Sequence, residues 1–310
     1  WVRGEQQHVP RMARALRADL IHSLASTAPL WGNVPRITTI HDLNYLLVPE
    51  AHFGLRALGM RVLVPGAARR SRRLIVDAAS TREDLRTRLG IAPGKVDVVP
   101  LAAAPPGPGV TPTPETELRG RLGLADRRVA LSPGAKRPHK NLSAVLAAVA
   151  KLPDAHRPAV VVPGYATPYE DELRSRAAAL GIAELLVLPP WLSSEDLEGL
   201  YALADVMVLP SRYEGFGLPV LEAMIRGVPV ITSNVSSLPE VAGDAALLVD
   251  PDDATAISGA LRRILDDGPF TDDLRAAGLE RAAQFSWDRT AELTVAAYGR
   301  ALPPAMARVT

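Results

Sequence analysis

Short apolar runs alternate with longer amphipathic stretches along most of the chain, separated by turns rich in Gly, Pro, Asp and Asn. Runs of this length and β-branched content predict buried parallel strands, and the amphipathic stretches predict the helices that cover them. In the first third, strands are expected at Leu20–His22, Ile37–Ile40, Leu74–Asp77 and Val96–Val99. A second set is expected at Arg128–Ser132, Ala159–Val162, Leu185–Leu188, Val206–Leu209, Pro229–Thr232 and Ala246–Val249. The pattern predicts an α/β protein with two parallel sheets covered on both faces. Between the two sets lie Pro105, Pro106, Pro108, Pro112 and Pro114, which cannot sustain a helix or a central strand. The expected organisation is a first domain over 1–104, a linker over 105–116, a second domain over 117–285 and a terminal segment over 286–310 whose helix covers Asp288–Leu302.

The chemistry concentrates after the strand at 206–209. The run Ser211-Arg212-Tyr213-Glu214-Gly215-Phe216-Gly217-Leu218-Pro219-Val220-Leu221-Glu222-Ala223 sets two carboxylates around a glycine-rich helix start. A helix over Leu218–Arg226 is expected, with Pro219 in its first turn and Gly227 as its left-handed terminator. The unpaired amides of its first turn, with those of Gly215, Phe216 and Gly217, suit an anion, and the carboxylates can accept hydrogen bonds from sugar hydroxyls. A plainer reading makes Glu214 a solvated loop residue and Glu222 an exposed residue near a favourable helix dipole.

Three further segments carry candidate chemistry. Gly134-Ala135-Lys136-Arg137-Pro138-His139-Lys140-Asn141 is a basic loop leading into a helix at Leu142–Ala150, either a phosphate-facing turn or a solvated one. His41 and Asp42 follow the strand at 37–40, at the edge where α/β folds build sites; Asp42 can fix the His tautomer or order the loop. Asp250-Pro251-Asp252-Asp253 has the spacing of a metal-binding D-x-D, yet it directly precedes a helix at Ala254–Leu265, so Asp252 or Asp253 is better read as an N-cap. Ser193 and Asp196 read as a capping box for a helix holding Leu197, Leu200 and Tyr201. Arg69, Arg70, Arg72 and Arg73 read as a solvated helix end, with contact to an anionic membrane as the alternative. No G-x-x-x-x-G-K-[ST] or G-x-G-x-x-G run occurs, which disfavours ATPase and dehydrogenase readings.

The Glu214–Glu222 run resembles the E-x7-E signature of the retaining glycosyltransferases of family 4, and the resemblance extends along essentially the whole chain. It implies a GT-B architecture, two Rossmann-like domains facing across a cleft, with the last helix crossing back to the first. It further implies transfer of a hexose, mannose-type or similar, from a GDP or UDP sugar to a saccharide or lipid-linked glycan in polysaccharide biosynthesis, with front-face attack and neither metal nor cofactor. By the same resemblance Glu214 and His41 meet the transferred sugar, Gly215, Phe216, Gly217 and Leu218 line sugar and phosphates, and Glu222 holds the ribose. Lys140 contacts the diphosphate beside Gly134. Members often carry an Arg where this chain has Ala135, so Arg137 or Lys136 must supply the second cation. Backbone groups near Gly164, Trp191 and Leu192 face the base. Members also begin with a strand and a glycine-rich turn that have no counterpart before Trp1, so an incomplete first domain is expected, able to bind donor but poor in transfer. Two other readings use the same cradle: a nucleotide-sugar epimerase, and a nucleotide-sugar-binding protein without turnover.

Composition narrows this only at the margins. A net charge of +1 gives no bulk attraction to nucleic acid. The absence of Cys excludes disulfides and thiol chemistry and fits a reducing, cytoplasmic setting, membrane-peripheral on the alternative reading of the Arg cluster. No apolar run approaches the ~20 residues of a membrane-spanning helix.

Overall fold

Apolar runs buried on both faces build two all-parallel sheets, one in each of two structural units. The computed structural model describes residues 4–48 and 54–302, so Trp1 and the expected terminal stretch over 303–310 lie outside the described residues. The first unit takes in the residues up to Leu101, residues 214–216 and the segment from Ser286 onward; the second takes in Ala102–Tyr213 and Gly217–Phe285.

In the first unit the strands are β1 (Ile21–Ser23), β2 (Arg36–Thr39), β3 (Arg73–Val76) and β4 (Val96–Val98), hydrogen-bonded in chain order. The period-two alternation of a strand sends Leu74 and Val76 to one face and Ile75 to the other. The first face packs with Ile40, Leu43, Val64 and Leu85. The second packs Ile37 and Ile75 against Ala297 and Ala301 of the helix Trp287–Ala301. Two alanines suit that position because small side chains let a helix lie close on a sheet. Ser286 starts the helix by accepting from the Arg289 amide at 3.1 Å.

The second unit holds β5 (Val129–Leu131), β6 (Ala159–Val161), β7 (Leu186–Val187), β8 (Val206–Leu209), β9 (Val230–Ser233) and β10 (Leu247–Val249). Their order across the sheet is β10-β9-β8-β5-β6-β7. The chain winds outward from β5 to β7, returns beside β5, and winds the other way to β10. Fully buried Val145, Leu146, Val206, Val208, Ile231, Ile257 and Leu261 join both helix layers to this sheet in one core. The strands match the expected runs to within a residue or two at their ends. Asp196 departs from the capping box: its amide donates to Ser193 Oγ at 3.2 Å, while its carboxylate takes a hydrogen bond from Thr113 at 2.6 Å and pairs with Arg121. A cation and a hydroxyl outcompete the reciprocal backbone contact.

Candidate functional site

The strand order reverses between β5 and β8, which pair directly. Loops leaving two such strands diverge and open a crevice at their carboxyl ends, the usual ligand position in a doubly wound sheet. A cavity of about 360 Å³ lies there, lined by Gly134, Gly164, Trp191, Leu192, Tyr201 and Glu222 among others. Five of the residues expected to face the donor, Gly134, Gly164, Trp191, Leu192 and Glu222, therefore meet in one place. Gly134 and Gly164 have φ of +124° and +146°. A Cβ on Gly164 would run into the Gly134 carbonyl oxygen, so the two loops can touch only through glycine. Trp191 is 67% exposed and stacks on Tyr165, with ring centroids 4.6 Å apart and planes 21° apart. The pair forms a flat apolar wall.

Glu222 sits on the helix Leu218–Met224, whose N-cap Gly217 has φ +106° and whose first turn holds Pro219. The helix ends earlier than the expected Arg226, although Gly227 is left-handed at φ +67°. Arg226 instead makes a two-pronged pair with Glu198, its Nε donating at 2.7 Å. Tyr201, 2% exposed, donates from its hydroxyl to Glu222 Oε2 at 3.1 Å. Burial first, and then the Glu222 charge, push the Tyr201 phenol well above its ordinary pKa, so it stays a donor.

The basic loop corrects one expectation. Lys136 is fully buried and cannot serve as a second cation for a ligand. Its Nζ donates to Glu170 Oε1 at 2.8 Å, to the Gly164 carbonyl at 2.8 Å and to the Pro189 carbonyl at 3.1 Å. Lys136 thus ties the loop bearing Gly164 to the segment just before Trp191. Burial alone would raise the Glu170 carboxyl; Lys136 and then Arg174 hold it below its usual range. Arg137 is exposed and Lys140 half-buried on the turn Pro138–Lys140, beyond the cavity lining. Asn141, at φ +56°, anchors that turn by donating to the Pro251 carbonyl at 2.6 Å.

His41 and Asp42 lie at the carboxyl edge of the first sheet. His41 Nδ1 is 2.7 Å from Asp77 Oδ2, and its Nε2 is 2.8 Å from the Leu24 carbonyl. The Leu24 carbonyl can only accept, so Nε2 carries a proton; the hydrogen bond to Asp77 outweighs burial and raises the His41 pKa. Burial raises the Asp77 carboxyl, an effect that the hydrogen bond to His41 only partly offsets. Glu214, Gly215 and Phe216 group with this unit, where a Cβ on Gly215 would collide with the His41 carbonyl. Asp42 Oδ1 accepts from the Asn44 amide at 2.9 Å and orders the loop.

The Asp run is spent on local structure. Asp253 accepts from the Thr255 and Ala256 amides at 2.8 and 3.0 Å, and Asp252 pairs with Arg212 at 2.8 Å. In the Arg cluster, Arg73 pairs with Asp97 at 2.6 Å, whereas Arg69, Arg70 and Arg72 are exposed.

Residues 114–281 match the model of the family Glycosyl transferases group 1, and residues 3–103 match Glycosyltransferase Family 4. The chain belongs to the glycosyl transferases group 1. It is 33% identical over 265 residues to O-antigen chain mannosyltransferase B of Escherichia coli, covering 84% of this chain and 69% of that protein. It is 36% identical over 288 residues to a D-inositol 3-phosphate glycosyltransferase of Mycobacterium sp. (strain JLS), covering 87% and 62%. Among solved structures, Anabaena HepE in complex with UDP-glucose superposes with a TM-score of 0.75 at 19% identity, covering 93% of this chain and 80% of that one. The two Rossmann-like units are those of the GT-B fold. The chain spans 56–69% of the length of the curated relatives it matches.

For a group 1 glycosyl transferase, two contributors to this site carry little sequence signal. Tyr201 reads as one apolar-periodic helix position, and only the pairing of its hydroxyl with Glu222 marks it. Tyr165 follows Gly164 in a loop, where an aromatic gains meaning only once Trp191 is seen stacked on it. Among the described residues, no helix is long and apolar enough to cross a membrane.

Proposed function

We propose that the chain belongs to a retaining hexosyltransferase that takes a nucleoside diphosphate sugar, GDP- or UDP-linked, and passes the sugar to a hydroxyl of a saccharide or lipid-linked glycan. One observation carries this reading: Glu222, held by Tyr201, shares a cavity at the strand-order reversal with Gly134, Gly164 and the Tyr165–Trp191 wall. A planar base suits a flat aromatic wall, and a ribose diol suits an anchored carboxylate. The named relatives, a mannosyltransferase and an inositol phosphate glycosyltransferase, and the UDP-glucose bound to the Anabaena protein support the substrate class.

In this reading catalysis rests on stabilising the leaving diphosphate. Lys140 and the amides of Gly217 and Leu218 meet its developing charge, a task for preorganised donors in place of a metal. Glu214 orients the sugar. His41, whose pKa is raised by Asp77, orients the sugar with it. Thermal stabilisation by UDP- and GDP-sugars, followed by transfer assays with and without EDTA, tests the proposal. A true donor at a hundredfold excess over its Kd adds about 2.7 kcal/mol. Absence of stabilisation by every nucleoside diphosphate sugar overturns it, and a metal requirement overturns the leaving-group account.

A further inference from the structure

At the amino ends of β1 and β2, the edge of the first sheet opposite His41, lies a second cavity of about 560 Å³. Arg14, Arg36 and Arg72 line it, with Asp19, Asn33 and Trp31. Arg36 is 6% exposed, and its Nη1 and Nη2 donate to the carbonyls of Pro29 and Gly32. Among the described residues no carboxylate pairs with it, nor with Arg14 or Arg72. Burial and the nearby Arg70 charge both work against the Arg36 guanidinium. A buried cation held only by carbonyls is an incomplete arrangement, because two neutral dipoles do not replace a counter-charge.

The wider chain points the same way. Residues 1–101 hold fifteen Lys and Arg against eight Asp and Glu, whereas residues 102–310 hold twenty against twenty-six. The overall charge of +1 conceals a basic first third, and Arg14, Arg36 and Arg72 of that third line the cavity. Asp19 is the one acidic group of the lining, and with Asn33 it offers acceptors for hydroxyls rather than for an anion. Trp31, 67% exposed, gives the rim an apolar face.

We propose that this cavity binds a phosphate group carried on a hydroxylated carbon chain. Arg36 grips the phosphate from the floor and the exposed Arg72 from beside it, the Arg72 amide donating to the Arg36 carbonyl at 2.8 Å and fixing the two residues together. Arg14 closes on it from the helix Val9–Ala15, Asp19 and Asn33 accept from the neighbouring hydroxyls, and Trp31 covers the carbon skeleton. Such chemistry occurs in a soluble polyol phosphate and in a phosphatidylglycerol headgroup. The site is separate from the cavity of the second unit and does not rest on the proposed transferase activity.

The test titrates the 310-residue chain with glycerol 3-phosphate, and separately with phosphatidylcholine vesicles with and without phosphatidylglycerol, at near-physiological salt. Calorimetry and tryptophan fluorescence read binding, and Trp31→Phe removes the fluorescence change. The double variant Arg14→Glu/Arg72→Glu, at two exposed positions, is expected to weaken binding by roughly tenfold or more, with an unchanged melting temperature. If that variant fails to fold, Arg14→Gln/Arg72→Gln carries the same expectation. Binding of glycerol 3-phosphate alone assigns a soluble ligand, and binding of phosphatidylglycerol vesicles alone assigns the headgroup. Neither ligand binding the parent chain, or binding that the variants leave intact, overturns the proposal.

Discussion

The hydroxyl of Tyr201 donates to Oε2 of Glu222 at 3.1 Å, and Arg226 braces both residues. Its guanidinium lies 4.7 Å from the Tyr201 ring centroid, its Nη1 donates to the Glu222 carbonyl at 2.9 Å, and its other nitrogens clamp Glu198. The carboxylate facing the cavity is thus held by a buried polar chain. Fixing a side chain before ligand arrives lowers the ordering cost of binding.

Tyr201→Phe is therefore expected to weaken binding of UDP or GDP by about 0.5 to 1.5 kcal/mol, the worth of one neutral hydrogen bond. The melting temperature should move little, because Phe fills the same space and Glu222 can take up water from the cavity. Calorimetry on Tyr201→Phe, Glu222→Ala and the double variant checks it. Strict additivity of the two losses would show that Tyr201 does not act through Glu222.

Glu222→Ala should lower affinity for nucleoside diphosphate and nucleotide sugar alike, by about 1.5 to 3 kcal/mol, since a charged acceptor is removed from the ribose position. Glu214→Gln should spare the diphosphate and reduce transfer. Parallel titrations with UDP and UDP-glucose, or the GDP pair, separate the two roles. Equal losses for both ligands in Glu214→Gln would reverse its assignment to the sugar.

Much of this was legible in the chain because the signals are local. The β-branched runs located the strands, Asp253 announced a helix start, Gly134 and Glu222 stood out by type and spacing, and Gly164 entered only through the family resemblance. Lys136 was not legible: beside Arg137, His139 and Lys140 it looks like one more solvated cation, and its partner Glu170 comes from a distant helix. The same holds for Tyr201 and Glu222, joined only when two helices meet. The arginine-lined cavity was hidden for another reason. A total charge near zero averages a basic first third against an acidic remainder, and only folding brings Arg14, Arg36 and Arg72 to one cavity.

Lys136→Met should destabilise the second unit by about 3 kcal/mol, the low end for breaking a buried ion pair, because Glu170 keeps Arg174 at 2.8 Å. Nucleotide binding should weaken as well, since the Gly164 and Pro189 carbonyls lose their shared donor. The Glu170 carboxyl is depressed in the folded chain, so its contribution is present above the unfolded pKa of about 4.3 and is lost as pH falls through the folded value. Urea unfolding of parent and variant across acidic pH checks both parts. An unchanged midpoint in Lys136→Met would mean that the three contacts are dispensable.

The histidines of the first unit should titrate far apart. His41 is raised by its hydrogen bond to Asp77, against the opposing effect of burial, whereas His22 is lowered by burial and then by the His41 charge. His22 fits the neutral form, with Nδ1 2.7 Å from the Tyr298 hydroxyl and Nε2 2.8 Å from Thr39 Oγ1, two groups that can each donate or accept. A group whose pKa is raised on folding stabilises fully below its unfolded value, about 6.5 for His, and loses that contribution as pH rises through the folded value. The first unit should accordingly lose stability as pH climbs above about 6.5, with Asp77, 3% exposed, as the cause. Asp77→Asn removes the charge that holds the second proton: the His41 midpoint should fall, the His22 midpoint should rise as its neighbour becomes neutral, and the alkaline loss of stability should flatten. Proton NMR titration of the imidazole resonances, assigned with His22→Gln and His41→Gln, reads all three chains. A His41 midpoint at or below the ordinary value in the parent would mean that the hydrogen bond to Asp77 does not outweigh burial.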